Sequence, residues 1–175
     1  MEKLPFERID HYPSSISTSN VLCRMIAGLG FRYYWATHNL RKEDLNFRPS
    51  ESGKSCFETL THINYLGLMM HSCAFGNAIE RGKGPVLEDL DEIRFWFLTH
   101  LKETHDKISA LSDPEIEHLK IRYQSSSSTM EYPFWHFING PLSDALYHVG
   151  QIVVFRRANG NSIASGVNVF LGEKI

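Results

Sequence analysis

Seven apolar residues, Leu22, Met25, Ile26, Leu29, Tyr33, Ala36 and Leu40, recur at helical spacing near the start of the chain. An α-helix turns once in about 3.6 residues, so this spacing lays them along one stripe that has to be buried. The same period returns in three later stretches. Four amphipathic helices in one chain bury their stripes against each other, which makes the expected fold class all-α, a four-helix bundle. Bundle interiors are also where facing helices bring side chains together around metal ions.

Local signals place the ends of these helices. Ser19 or Asn20 is the expected cap of a first helix beginning near Val21. Gly28 and Gly30 lower helix propensity inside it and point to a close contact or a soft bend. Ser55-Cys56-Phe57-Glu58 matches a capping box, and the helix it opens should run to about Ala78, before the stop at Arg81-Gly82-Lys83-Gly84-Pro85. A third helix is expected over residues 87–111, with Leu90, Phe97, Leu101 and Ile108 inward and Glu103 paired with Lys107 at i,i+4 outside. Pro141 suits the first position of the last helix, which Asn159-Gly160-Asn161 closes. Residues 1–18 read as an irregular lead-in. Residues 162–175 read as a tail whose Val167-Asn168-Val169-Phe170 patch packs down. No stretch gives a strand expectation, and there is no internal repeat. The whole of 1–175 is expected to be one domain, a size at which about 70% of the unfolded surface is buried.

Composition narrows the function. Net charge is −2 with 22% charged residues, so no strong field draws nucleic acid or an anionic membrane. Met1 to Arg8 contains no apolar signal region, and no apolar run approaches a membrane span, so a cytoplasmic protein is expected. Cys23, Cys56 and Cys73 lack C-x-x-C spacing and read as reduced, buried small hydrophobes. Nucleotide-binding glycine motifs, G-x-S-x-G and H-E-x-x-H are all absent, which argues against nucleotide-dependent chemistry and the common hydrolase triad.

The chemistry-bearing pattern is Asp144-Ala145-Leu146-Tyr147-His148-Val149-Gly150-Gln151. Asp144 and His148 stand four apart on one helix face and can close on one ion. His62 lies on a distant helix among Leu66, Met69, Met70 and Cys73, where an imidazole needs a partner. Two imidazoles and one carboxylate form a facial set that accepts Zn, Ni, Fe or Mn. The plainer alternative is an Asp144–His148 polar pair that orients a core histidine. His136 would lie about 18 Å from His148 on an unbroken helix, so it reads as a pocket-wall or capping residue. His71, His100, His105 and His118 show no ligand spacing, and His11 and His38 are no more informative. Arg156 and Arg157 could meet an anionic substrate, but the default partners for a charged helix end are acids near Asp89 and Asp91.

Three blocks of the chain stand out: Leu45-Asn46-Phe47-Arg48-Pro49, Ser55 through Glu58 leading to Thr61-His62-Ile63, and His148-Val149-Gly150-Gln151-Ile152 followed by Arg156-Arg157-Ala158-Asn159-Gly160. In that order and spacing they resemble the DinB-like family of metal-dependent four-helix-bundle proteins. The resemblance covers residues 21–160. It implies a bundle with one long crossover connection and a homodimer. It also implies a divalent metal on three histidines, of which two match His62 and His148. The third position is Asp144 here, which leaves a two-His, one-carboxylate set. Gln151 then orients a ligand or a substrate from behind. Relatives include transferases that use a low-molecular-weight thiol. The expected function is a metal-dependent enzyme acting on a small-molecule substrate by thiol transfer or hydrolysis. The alternative is a non-catalytic bundle that binds a small ligand or a partner protein.

Overall fold

The computed structural model describes residues 3–9 and 12–175; His11 lies outside them, with Met1, Glu2 and Asp10. The elements run α1 (Thr18–Thr37), α2 (Lys42–Asn46), α3 (Cys56–Phe75), β1 (Ala78–Glu80), α4 (Leu90–Ser109) and α5 (Asp113–Glu117). They continue with β2 (Lys120–Gln124), β3 (Thr129–Pro133), α6 (Trp135–Phe137), a π-helical turn at Ile138–Leu142, α7 (Ser143–Ala158), β4 (Val167–Asn168) and β5 (Glu173–Lys174).

The four long helices pack in a ring. α1 lies against α4 and α7, and α3 lies against the same two from the other side. The stripes meet inside. Ile26, Leu29 and Tyr33 of α1, Leu60, Ile63 and Met70 of α3, Phe97 and Leu98 of α4, and Ile152 of α7 are all buried. Each of the aliphatic, Met and Phe side chains among them contributes about 1.5–3 kcal/mol by leaving water.

Helix ends follow their side chains, with shifts from the sequence expectation. α1 starts three residues before Val21, because Ser17 is the cap and its Oγ accepts from Asn20 N at 3.2 Å. Gly30 serves a close contact: a Cβ there would run into the ring of Phe6, which the lead-in lays across α1. At α3 the capping box forms as expected, with Ser55 Oγ accepting from Glu58 N at 3.1 Å and Glu58 Oε2 from Ser55 N at 2.7 Å. α3 stops earlier than expected. Gly76 takes the left-handed conformation (φ 72°), and Asn77 N closes on Ser72 O at 2.8 Å. Pro141 does not open α7. It sits in the π-helical turn beside the non-helical Gly140, and α7 begins at Ser143.

The chain is helix-rich as expected, but it also carries short strands that the sequence reading did not anticipate. β2 pairs in parallel with β1 and antiparallel with β3 (Lys120 opposite Pro133, Gln124 opposite Thr129). The serine run at 125–128 is the turn of this hairpin, with Ser125 N donating to Ser128 O at 2.8 Å. The tail also departs from expectation. β4 and β5 pair with Val167 and Asn168 half-buried, but Phe170 between the strands is 87% exposed, so that end of the patch does not pack down. The lead-in is tied to the tail through Ile9 N and Gly172 O at 2.7 Å. No helix among the described residues is long and apolar enough to cross a membrane.

Candidate metal centre

Two helices supply the site. His62 lies in the second turn of α3, whose start is fixed by the Ser55–Glu58 box. Arg48 locks that box from outside, meeting Glu58 in two contacts of 2.8 and 2.9 Å. The Arg48 guanidinium, followed by the Ser55 amide, holds the Glu58 carboxyl down at about 2. Asp144 lies in the first turn of α7, just past the π-helical turn, where the helix dipole favours a carboxylate. His148 and Gln151 follow on the same face at i+4 and i+7. The packing of α3 on α7 brings His62 over that face.

One donor atom from each of His62, Asp144 and His148 lies within 4.8 Å of the others. His62 Nε2 stands 3.2 Å from Asp144 Oδ2, and His148 Nε2 stands 3.3 Å from Asp144 Oδ1. The imidazoles meet edge to face, 4.7 Å between centroids at 90°. Burial, opposed by the Asp144 hydrogen bond, pushes His62 below the usual histidine value, which favours the neutral ring that offers a lone pair. The side chains of His62, Asp144 and His148 are 28%, 41% and 14% exposed, so the group forms a half-open surface site rather than a sealed one.

Gln151 decides how the group is protonated. Its Oε1 lies 2.7 Å from His148 Nδ1. With that oxygen accepting from Nδ1–H, a neutral His148 carries its lone pair on Nε2, the atom turned toward Asp144. A lone pair facing a carboxylate needs a cation between them. Ligands about 2.1 Å from a tetrahedral ion stand roughly 3.4 Å apart, close to the separations here. The donor set therefore fits a divalent first-row ion, with a side-chain amide behind one imidazole as such sites commonly have. The other arrangement turns the Gln151 amide over. Nε2–H of His148 then donates to Asp144 and no ion is required.

The remaining sequence candidates fall elsewhere. His136 is exposed on α6, edge-on to Tyr132 at 5.4 Å, and is not among the converging donors. Arg156 does not face a substrate or Asp89 and Asp91. It is 2% exposed, and its Nη1 donates to the carbonyls of Ala36 and His38 at 2.9 Å each and of Trp35 at 3.3 Å. These are groups at the C-terminus of α1, which no helical amide can satisfy. Arg157 is exposed. Cys23, Cys56 and Cys73 are free and buried, and burial pushes their thiols up to about 11, 12 and 12. Sequence reasoning missed a second convergence of His71, His100 and Glu103. Its visible trace was the i,i+3 spacing of His100 and Glu103, overlooked in favour of Glu103 with Lys107.

No family model matches the chain, and no curated protein matches it. Among solved structures, the crystal structure of a DinB-like protein, YjoA, from Bacillus subtilis matches with a TM-score of 0.59 at 14% identity. The match covers 81% of this chain and 94% of that one. The chain thus has the helix-rich fold of a DinB-like protein.

Proposed function

We propose that this chain is a cytoplasmic, metal-dependent enzyme on a DinB-type four-helix bundle, acting on a small molecule by thiol transfer or hydrolysis. His62, Asp144 and His148 hold the metal. One observation carries the reading: three donors from α3 and α7 converge at 3.2 and 3.3 Å while Gln151 engages the far nitrogen of His148. A divalent ion at that point supplies Lewis-acid chemistry, lowering the pKa of a water or thiol or polarising an electrophile. Asp144 brings the single negative charge of the set. Gln151, by accepting from His148 Nδ1–H, fixes the tautomer and ring orientation. The half-exposed Asp144 carboxylate leaves the centre open to solvent. The chain's own thiols stay protonated and buried, so the thiol of a transfer reaction comes from a low-molecular-weight co-substrate.

The test is elemental analysis of protein purified without a metal-affinity tag, wild type beside Asp144→Ala. Near-stoichiometric metal in the wild type and less in the variant supports the centre. It then justifies assays of thiol transfer and hydrolysis, which His62→Ala and His148→Ala should abolish together with the metal at this centre. No metal in the wild type, even after incubation with Zn, Ni, Mn or Fe(II), refutes it.

A second reading has its own observation. Asp144 lies within ion-pair distance of both imidazoles, so the three residues can satisfy each other without an ion. The protein is then a non-catalytic bundle that binds a small ligand or a partner protein, and chelator or zinc acting at this centre leaves its melting unmoved.

A further inference from the structure

We infer that α3 and α4 carry a second divalent-metal site, made by His71, His100 and Glu103, on the opposite side of α3 from the first. Donor atoms from the three residues lie within 4.8 Å of one another. His71 Nε2 is 2.9 Å from Glu103 Oε2, and the two imidazoles stand 4.8 Å apart at 65°. His71 follows His62 by nine residues, which is two and a half turns. The side chains therefore leave α3 on opposite sides, about 13.5 Å apart along its axis, and cannot share an ion.

Both imidazoles are held in place rather than loosely exposed. His100 stacks on Trp96 at 4.0 Å and 19°, and its Nδ1 donates to the Trp96 carbonyl at 2.8 Å. That bond consumes the Nδ1 proton, so Nε2 of the neutral ring carries the free lone pair, the tautomer a metal requires. His71 stacks on Phe75 at 4.5 Å and 23°. Glu103 does not take the Lys107 partner its spacing suggested; it turns to His71, while Lys107 lies over the Phe75 ring at 5.9 Å. The helices beneath cannot slide apart easily, because Gly67 lets Phe97 of α4 approach the α3 backbone. Two imidazoles and a carboxylate select a borderline divalent ion such as Zn, Ni or Cu(II). Glu103 is 49% exposed, so the outer coordination positions face solvent. Here the ion acts as a clip between α3 and α4, apart from the chemistry at His62.

The experiment uses the full chain, stripped with chelator, desalted and titrated with ZnCl2 by calorimetry and elemental analysis. The His62→Ala/His148→Ala double variant isolates the second site. It should still bind about one equivalent of zinc, and zinc should raise its Tm. Adding Glu103→Ala, at a half-exposed position that leaves the fold intact, should weaken that binding by about tenfold or more. Adding His100→Ala should abolish it. A double variant that is folded by circular dichroism yet binds no zinc overturns the site. Retained zinc whose affinity ignores Glu103→Ala and His100→Ala overturns it too. Failure of the first centre looks different: His62→Ala/His148→Ala would then bind as much zinc as the wild type.

Discussion

Replacing Arg156 by methionine keeps the aliphatic stem and removes the guanidinium from the C-terminus of α1. In the wild type Nη1 serves the carbonyls of Trp35, Ala36 and His38, while Nε donates to Asn161 O at 2.6 Å. Trp35 and Ala36 are 5% and 1% exposed, so water cannot readily replace the lost donor there. A buried acceptor left without a partner costs about 1–3 kcal/mol, which gives roughly 2–6 kcal/mol for the two. The desolvation of a buried guanidinium, absent in the variant, returns part of this and brings the loss to about 3 kcal/mol. At 2–4 °C per kcal/mol for a chain of this size, Tm should fall by about 6–12 °C. Differential scanning calorimetry of Arg156→Met beside the exposed Arg157→Met measures it, with the second variant near wild type. An Arg156→Met protein that melts with the wild type would show that this arginine does not hold the end of α1 and would refute the reasoning.

Gln151→Leu should leave the fold intact and weaken zinc binding at the first centre by about 10–100-fold, since it removes the group that orients His148; chelator-competition titration reads this directly. Gly67→Ala would place a Cβ 2.9 Å from Phe97 Cδ2. Overpacking at about 1–3 kcal/mol outweighs the gain in helix propensity of about 1, so the urea midpoint should fall. Asp44 gives a pH signature. Burial would raise its carboxyl, but hydrogen bonds from Arg41, Asn161 and Asn159 hold it below the usual carboxylate range. Its stabilisation is therefore complete above the unfolded value of about 3.9 and disappears as pH falls through the lower folded value. The stability gap between wild type and Asp44→Asn, measured by urea unfolding, should be flat at neutral pH and shrink below about pH 4.

What could be read in the sequence was local. The stripe from Leu22 to Ala36 and the Ser55–Glu58 box gave α1 and α3 because helix period and capping act within a few residues. The β2–β3 hairpin escaped because its strands are five residues long and β3 is exposed throughout, leaving too little alternation to detect. Arg156 was misjudged for a different reason. A charged residue at a helix end normally faces water, and only the tertiary placement of α1 turns it into a buried cap. The candidate sites divide in the same way. Asp144 and His148 could be paired from their spacing on one helix. His71 could not be joined to His100 and Glu103, because that partnership exists only once α3 lies on α4.

The blocks that resemble DinB-like proteins turn out to do two separate jobs. Arg48 fastens Glu58 at the head of α3. Arg156, with Asn159 and Asn161 around Asp44, fastens the ends of α1 and α7. That frame of hydrogen bonds sets His62 opposite α7. Asp144 is the reverse: 41% exposed, outside the frame, and part of the donor set. Asp144→His should therefore change chemistry without changing fold. It removes the one negative charge among the donors and gives the three-histidine set that the resemblance implies. Under the metal reading the variant keeps zinc and keeps its Tm. Under the polar-pair reading, three imidazoles meet with no acceptor between them, so the variant binds no zinc at this centre and melts lower. Zinc stoichiometry and calorimetry on Asp144→His/His100→Ala beside His100→Ala alone, which empties the second site, separate the two, and a zinc-free, destabilised Asp144→His/His100→Ala protein would sink the metal centre.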